Sequence, residues 1–269
     1  MSGMRDVKYA FRLFRRAPGF TALVTLTLAL GIGANTAVFS IVHAVLLAPL
    51  PYQAPERLVA IWSREIHAKG TSKLFDLYSD YEYWKSHARS FEGVAGITWA
   101  PQAMPQGILT GRGPARSALA MPATADFFSL LGVRPMIGRV FEPADTGCKV
   151  VLSHSFWQNV LAADKGITGQ VLRLGDEPCT VVGVMPPGFA FLPPEAPVAM
   201  WTLLPRPARP DQLAVAVFGR LRPGVSISAA QAEVAALHHQ LHEGDRWGRQ
   251  TEPVVYDLHG EFTWLTGRN

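Results

Sequence analysis

Charged residues are scarce in this 269-residue sequence, and one long stretch has none of them. Asp, Glu, Lys and Arg make up 17% of the chain, whereas about 25% is usual for soluble domains. None of the four occurs between Ala17 and Pro55. This gap predicts a segment that does not belong to a globular core, so we considered it separately from the rest of the chain.

Basic side chains show no excess beyond the first residues, although the sequence pI is about 9.2. Residues 1–16 carry five basic side chains against Asp6 alone, a net charge of +4 that equals the charge of the whole chain. From residue 17 onward, 20 basic and 20 acidic side chains balance. We expect no nucleic-acid partner, because phosphate binding needs a surface of unneutralised basic groups.

Motifs for catalysis are missing as well. Gly31-Ile32-Gly33 follows no predicted strand and has no third glycine in place, which excludes a dinucleotide-binding loop. Ser153-His154-Ser155 lacks the G-x-S-x-G turn of a nucleophilic serine. Acidic pairs occur only at predicted turns and helix starts, where capping explains them. We expect neither an enzyme nor a bound cofactor.

Three histidines near the C-terminal end have one metal-like spacing. His238 and His242 are four residues apart on a predicted helix, with His239 beside them. The glutamate of the H-E-x-x-H motif is absent, and the sequence shows no third ligand nearby. We therefore predict a solvated helix face and no metal ligands, with a metal site as the alternative.

The uncharged stretch predicts a transmembrane helix over residues 17–48. Its apolar part, residues 20–47, would be about 42 Å long as a helix, against about 30 Å of hydrocarbon in a bilayer. The basic cluster before it places residues 1–16 in the cytoplasm and residues 49–269 outside, by the positive-inside rule. A cleaved signal peptide is the alternative, but its apolar core would be only about 7–15 residues.

Small residues recur every four positions along this predicted span, at Ala29, Gly33 and Ala37. Such a stripe lets two helices approach closely in lipid. We predict that these three residues form a helix-packing face.

Residues 56–260 alternate short strand-like and helical runs, which predicts an α+β domain. Capping boxes predict helices that start at Ser79, with Glu82, and at Ser228, with Gln231. The second of these would bury Val234, Leu237 and Leu241. Two shorter helices are expected from Asp126 to Gly132 and from about Ser155. The predicted strands are Leu58–Trp62, Val150–Leu152, Val171–Leu174, Thr180–Val184 and Val215–Leu221.

Cysteine occurs only twice, at Cys148 and Cys179. An exported domain meets an oxidising compartment, in which these two residues can form a disulfide. A bridge closing a loop of about 30 residues would contribute roughly 3–4 kcal/mol. The sequence does not show whether the two Cα atoms are close enough, so free thiols are the alternative.

Motifs along nearly the whole chain are similar to those of one permease family. They include the stretches RDVKYAFR from Arg5, LTLALGIGANTAVFS from Leu26, VVGVMPPGF from Val181 and AVFGRLRPGVS from Ala216. In this order and spacing they resemble MacB/FtsX-type ABC transporter permeases, and among them the acidobacterial-type duplicated orphan permeases. The segments around Cys148 and Lys165 depart from the family pattern.

The resemblance implies a permease subunit of the bacterial inner membrane, whose residues 49–269 form a MacB-like periplasmic core domain that relays motion. It implies membrane lipid, other permease spans or subunits and a separate cytoplasmic ATPase as partners. Family members continue into three more spans, which this sequence does not show, so we expect a truncated permease. A membrane-anchored module that binds a periplasmic protein or ligand is the alternative.

Overall fold

The computed structural model describes residues 18–42, 52–66, 73–98, 106–110, 116–191 and 198–261. The chain divides into two compact units, Met1–Pro49 and Leu50–Asn269. Each unit is described by itself below.

The described part of the first unit is one helix, α1 (Pro18–Val42), of 25 residues. Its large apolar side chains are exposed in this single chain, with exposed fractions from 59% at Leu28 to 72% at Leu30. The hydroxyls of Thr27 and Thr36 donate hydrogen bonds to the carbonyls four residues before them. These two hydroxyls therefore find their acceptors within the helix itself.

Among the described residues, no helix combines the length and the apolarity needed to cross a membrane. The transmembrane helix predicted for 17–48 is therefore not confirmed. The described helix is shorter than that prediction, because residue 17 and residues 43–48 lie outside the described part of the chain.

The second unit combines one large mixed sheet with short helices, so its mixed α/β character is confirmed. Its helices, after a 3-10 turn at Pro55–Arg57, are α2 (Tyr78–His87), α3 (Phe127–Leu131), α4 (His154–Val160), α5 (Ile227–Leu241) and α6 (Arg246–Gln250). Its strands are β1 (Leu58–Glu65), β2 (Asp76–Leu77), β3 (Phe91–Ile97), β4 (Gln106–Thr110), β5 (Arg116–Ala123), β6 (Ile137–Gly138), β7 (Lys149–Leu152), β8 (Val171–Leu174), β9 (Glu177–Val184), β10 (Met200–Leu203), β11 (Ala214–Leu221) and β12 (Thr251–Asp257).

The strands pair in the order β10-β7-β9-β8-β4-β5-β3-β11-β1-β12. Two short strands lie off this path, with β2 paired to β11 and β6 paired to β9. β10 also pairs with β5 in parallel, so the first six strands of the order close on themselves. The pairing of β3 with β5 is brief and joins only Ile97 to Ala123, while β3, β11, β1 and β12 continue as an antiparallel sheet.

All five predicted strands are present, and the structure adds β2, β3, β4, β5, β6, β10 and β12. Gly175-Asp176-Glu177 is a sequence typical of a hairpin turn, and β8 and β9 do form a hairpin in which Leu174 pairs with Glu177. Gly175 has a φ of 60°, which glycine adopts without the steric cost that a side chain would bring.

Three apolar clusters form the core. The first is rich in aromatic rings, among them Phe127, Phe128 and Trp201. The second fills the space beneath α4 and around β7 and β9. The third lies between the antiparallel strands and helices α2 and α5, where Trp84 and Val234 are fully buried. This third cluster positions the candidate site, because it fixes α2 and α5 side by side on the sheet.

Two predicted helix starts are wrong by two residues. The box at α2 forms at Leu77, whose amide donates to the Asp80 carboxylate at 3.0 Å, whereas Glu82 pairs with Arg206. The cap of α5 is Ser226, whose hydroxyl accepts from the Ala229 amide, so Ser228 lies inside the helix. At α2 the acceptor is Asp80 and not Glu82, and at α5 it is Ser226 and not Ser228. Each lies two positions before the predicted residue.

Two further predictions for the helices have mixed outcomes. The short helix expected between Asp126 and Gly132 is confirmed as α3. The predicted α5 partner Gln231 does not cap its helix, because its side chain instead bonds to the main chain of Pro253 and Val255 in β12. These bonds hold α5 against the edge strand of the sheet.

Candidate functional site

A buried polar cluster lies on the facing sides of α2 and α5. We call Asp80, His238 and His242 the His-Asp cluster. Their exposed fractions are 0%, 3% and 7%, so all three are removed from water. Buried ionisable groups are costly unless they are paired, which makes their partners the first question.

Asp80 is the centre of the cluster, because its two oxygens have different partners. Oδ2 accepts the hydrogen bond from the Leu77 amide that caps α2. Oδ1 lies 2.5 Å from Nε2 of His242 and 3.5 Å from Nδ1 of His238. One carboxylate therefore closes the first turn of α2 and faces both imidazoles of α5.

His242 joins two carboxylates that each cap a helix. Its Nδ1 lies 2.8 Å from Oδ2 of Asp245, and the other oxygen of Asp245 accepts from the Gly248 amide at the start of α6. A Cβ atom at Gly248 would lie 2.5 Å from Cβ of His242, closer than real contacts allow. Only glycine lets α6 begin so close to the imidazole, and this close packing keeps His242 between its partners.

Opposite effects of burial and pairing act on the charges of these groups. Burial raises the pKa of Asp80, but the facing imidazoles of His238 and His242 outweigh it and lower the pKa below the ordinary value. Burial lowers the pKa of His242, but Asp80 and Asp245 outweigh it and raise the pKa above the ordinary value. Burial raises the pKa of Asp245, but the Gly248 amide and His242 outweigh it and lower the pKa. The pairs thus favour an imidazolium between two carboxylates.

His238 completes the cluster from the preceding turn of α5. Its ring centroid is 4.6 Å from that of His242, and its Nε2 is 3.4 Å from Oγ1 of Thr251. Its Nδ1 is buried and makes no hydrogen bond within the described residues, although it faces Asp80. One buried imidazole nitrogen therefore faces a carboxylate oxygen at 3.5 Å without a hydrogen bond between them.

The predicted solvated histidine face is wrong for two of the three residues. Only His239 is exposed, while His238 and His242 continue the buried stripe of Ala230 and Val234. The sequence contained this signal, because these four residues recur every four positions. The third ligand-type side chain, Asp80, lies 158 residues before His238 and cannot be found from local spacing.

Asp76 is a further buried acid near the cluster. Its Oδ1 accepts from the Ser63 hydroxyl at 2.7 Å, and its Oδ2 has no partner in the part of the chain that the structure describes. Burial raises the pKa of Asp76 well above its ordinary value, the charge of Asp80 raises it further, and the Ser63 hydrogen bond opposes both. The pKa values of the two acids are therefore shifted in opposite directions, upward for Asp76 and downward for Asp80.

Two groups of described residues bring potential metal ligands together. In the His-Asp cluster, one ligand atom from each residue lies within 4.8 Å of the others. The second group is Cys148, Glu177 and Cys179, but its two sulfur atoms are bonded to each other at 1.99 Å. A disulfide offers no thiolate ligand, so only the His-Asp cluster has the chemistry to hold a metal ion.

The disulfide joins Cys148, just before β7, to Cys179 in β9, with the two Cα atoms 4.5 Å apart. The strands are parallel neighbours, and the Thr180 amide donates to the Cys148 carbonyl at 2.9 Å. The Cα separation lies within the range that a disulfide can span. The two cysteines are 31 residues apart in sequence, and both pack in the second apolar cluster.

The predicted helix-packing face lies on α1. Ala29 is exposed, and a Cβ at Gly33 would meet no described atom within 4 Å. The side chain of Ala37 lies outside the described residues. The packing face therefore stays a prediction.

A surface groove of about 380 Å³ lies beside the cluster, between α2 and the loop before β11. Its wall includes Glu82 and Arg206, whose carboxylate and guanidinium are 2.6 Å apart. The remaining lining mixes polar, aromatic and aliphatic residues and comes from Ser79, Tyr83, Ser86, Pro210, Asp211 and Leu241.

Comparison with known proteins adds a family to this geometry. The family described as MacB-like periplasmic core domain matches residues 21–237 of the chain. The periplasmic region of MacB from Actinobacillus actinomycetemcomitans is 14% identical, with a TM-score of 0.54 over 79% of this chain and 94% of that one. The extracellular domain of the ABC-type transporter YknZ from Gram-positive bacteria is 12% identical, with a TM-score of 0.51 over 74% and 99%. No curated protein matches the chain. At these identities the two structures establish a shared fold.

Proposed function

Because the chain belongs to the family of MacB-like periplasmic core domains, we propose that it is a permease subunit of a MacB/FtsX-type ABC transporter. In this proposal α1 anchors the chain in the bacterial inner membrane, and the second unit relays conformational change on the periplasmic side. The observation that carries the proposal is the extent of the family match, which begins within α1 and continues through β11 into α5. Helix and folded unit thus belong to one family pattern.

The surface of α1 supports its place in the membrane. Leu23, Leu26 and Leu30 are each about two-thirds exposed, at 66%, 68% and 72%. Covering a leucine side chain is worth roughly 1.5–3 kcal/mol, so lipid or neighbouring helices would stabilise α1 strongly. The internal bonds of the Thr27 and Thr36 hydroxyls satisfy these two groups without water. The basic residues before α1 place its N-terminal end in the cytoplasm.

A relay must move without deforming, and the described second unit has strong internal ties. Arg220 in β11 is 7% exposed, and its guanidinium donates two hydrogen bonds to the Leu130 carbonyl at the end of α3, at 2.9 and 2.6 Å. It donates a third to the carbonyl of Ala54 at 3.2 Å. A single buried side chain thereby ties the end of α3 and the segment at Ala54 to β11, which supports a mechanical role.

The first experiment tests membrane topology with single cysteines in a C148A/C179A background. Ser228→Cys places a thiol at an exposed position of α5, and Ser2→Cys places one before the basic cluster. In intact cells with a permeabilised outer membrane, an impermeant maleimide should label the first variant and not the second. Labelling of residue 2 alone would contradict the orientation, and recovery of the chain in the soluble fraction would contradict the anchor.

The second experiment tests the relay. The chain is purified in mild detergent with the ATPase that co-isolates after crosslinking in cells, and Ser228→Cys carries an environment-sensitive dye. ATP should change the dye signal if the periplasmic unit follows the ATPase, and an ATPase variant that does not bind nucleotide is the matched control. An unchanged signal with a catalytically competent ATPase would contradict the relay.

The groove beside α2 favours a second candidate function, a membrane-anchored module that binds a periplasmic protein or ligand. Its volume of about 380 Å³ lies within the range of small-molecule sites. Arg206→Glu would reverse the charge that faces Glu82 and should abolish binding at this groove. Under the relay proposal the same variant should leave the ATP-dependent dye signal unchanged, which separates the two functions.

A further inference from the structure

We propose that Asp80, His238 and His242 bind one zinc ion between α2 and α5. This site is independent of the transport proposal, since it concerns the folded unit alone. Three observations carry it: the types and burial of the side chains, the direction of each ligand atom, and the separations between those atoms.

The donor set suits a borderline divalent metal. Two imidazoles and one carboxylate are ligands that Zn²⁺ uses with three protein donors and a fourth open position. Zn²⁺ accepts nitrogen and oxygen donors together, whereas Ca²⁺ and Mg²⁺ prefer sets made of oxygen alone. His238 and His242 are four residues apart on one helix, so both can face a single ion.

Each histidine of the cluster is held in place by a residue outside the cluster. Nδ1 of His242 lies 2.8 Å from Asp245, and Nε2 of His238 lies 3.4 Å from the Thr251 hydroxyl. Metal-bound histidines nearly always have their second nitrogen held in this way, by a carboxylate, a carbonyl or water. The inward atoms are therefore Nε2 of His242 and Nδ1 of His238, and both face Oδ1 of Asp80.

The separations suit an ion after one small movement. Neighbouring ligand atoms of a tetrahedral zinc site are about 3.4 Å apart, given bonds of about 2.0–2.1 Å. Nδ1 of His238 and Oδ1 of Asp80 are 3.5 Å apart already. Nε2 of His242 is 2.5 Å from the same oxygen, as a hydrogen bond requires. Zinc would replace the proton of that bond and separate these two atoms by about 1 Å more.

An orphan atom gives independent support. Nδ1 of His238 is buried and has no hydrogen-bond partner among the residues that the structure describes. A buried polar atom without a partner is unfavourable, and a bound ion would satisfy it. His242 is followed at once by the exposed residues 243–246, so the site is one residue from solvent along the chain.

The test uses zinc chloride as the probe and the full chain, stripped with a chelator, in mild detergent. A chromophoric chelator competes for the ion and gives the affinity and the stoichiometry, which should be one zinc per chain. His238→Gln removes one ligand without breaking a described hydrogen bond of Nδ1, and it should weaken binding by more than 100-fold. His239→Gln is the matched control, because this neighbouring imidazole is exposed, and it should bind zinc as the wild type does.

A second variant keeps the test valid if His238→Gln fails to fold. In Asp245→Asn the remaining side-chain oxygen can still accept from the Gly248 amide. The new NH₂ group takes the place of the oxygen that faces Nδ1 of His242, and it cannot accept a hydrogen bond. Loss of such an outer partner costs about 10–100-fold in metal affinity. A wild type without a zinc site would overturn the proposal. Equal zinc affinity of the wild type, His238→Gln and Asp245→Asn would also overturn it. So would a loss of affinity in His239→Gln as large as that in His238→Gln.

Discussion

Reduction of the Cys148–Cys179 disulfide removes a cross-link without removing any side chain from the second apolar cluster. The sequence separation of the two cysteines is 31 residues. In the chain-entropy model a closed loop of this length restricts the unfolded chain by about 12 cal/mol/K, or about 3.7 kcal/mol at 25 °C. For a folded unit of this size, each kcal/mol shifts the midpoint of thermal unfolding by about 2–4 °C. We expect reduction to lower the midpoint by about 7–15 °C.

The structure indicates that the native fold survives this reduction. Cys179 is fully buried among apolar side chains, where a reduced thiol packs as a small apolar group. The main-chain bond from Thr180 to the Cys148 carbonyl does not depend on the disulfide. Parallel pairing of β7 with β9 also remains. The loss of stability therefore arises mainly in the unfolded state, where the loop is released.

The assay is thermal unfolding of the full chain in mild detergent, followed by circular dichroism with and without reductant. Cys148→Ala/Cys179→Ala is the matched control, because reductant should not change its midpoint. Mass spectrometry after alkylation counts the free thiols in each sample. The reasoning is refuted if the unreduced wild type already carries two alkylated thiols, or if reduction changes its stability by less than roughly 1 kcal/mol.

Three further predictions concern other parts of the chain. Gly33→Leu should weaken detergent-resistant association with a partner permease, while Gly31→Leu, about 200° around the same helix, should not; co-purification measures both. Glu233→Gln should destabilise the fold by about 1 kcal/mol at neutral pH, because its carboxylate accepts two main-chain amides between α2 and β3 at 2.8 Å. Burial raises the pKa of Glu233, but those hydrogen bonds outweigh it and lower the pKa, so denaturation should show the difference shrinking as pH falls below the ordinary glutamate value. Gly248→Ala should cost about 1–3 kcal/mol in urea unfolding, because the new methyl group would meet Cβ of His242 at 2.5 Å.

Local patterns predicted the elements whose signals lie in a few adjacent residues. The strand predicted at Val171–Leu174 has those same bounds in β8, and Gly175 forms the turn that follows it. The missed strand β5 contains Arg116, Ser117 and Pro122, which weaken a strand pattern. It is a strand because β4, β3 and β10 pair with it, and such tertiary pairing is not visible in a short window.

Helix caps were predicted in kind but not in position. Around α2, the sequence pattern predicts a box of Ser79 with Glu82, whereas in the structure the Leu77 amide donates to Asp80. The structure selects Asp80, although a serine is the better cap, because the Asp80 carboxylate also pairs with His242. Glu82 lies on the outer side of the helix and pairs with Arg206. A contact 162 residues away in sequence thus decides the start of α2.

The histidines of α5 show how a site can be inferred from a face and not from a motif. Val234 at the centre of a buried stripe implies that residues four and eight positions later also face the interior. Those residues are His238 and His242, and a buried imidazole requires polar partners from a facing element. Only a carboxylate that is itself held in place can be such a partner, since a free carboxylate would turn toward water. An acid that caps a helix meets this condition, so Asp80 at the first turn of α2 and Asp245 at the start of α6 are the partners that the buried stripe demands.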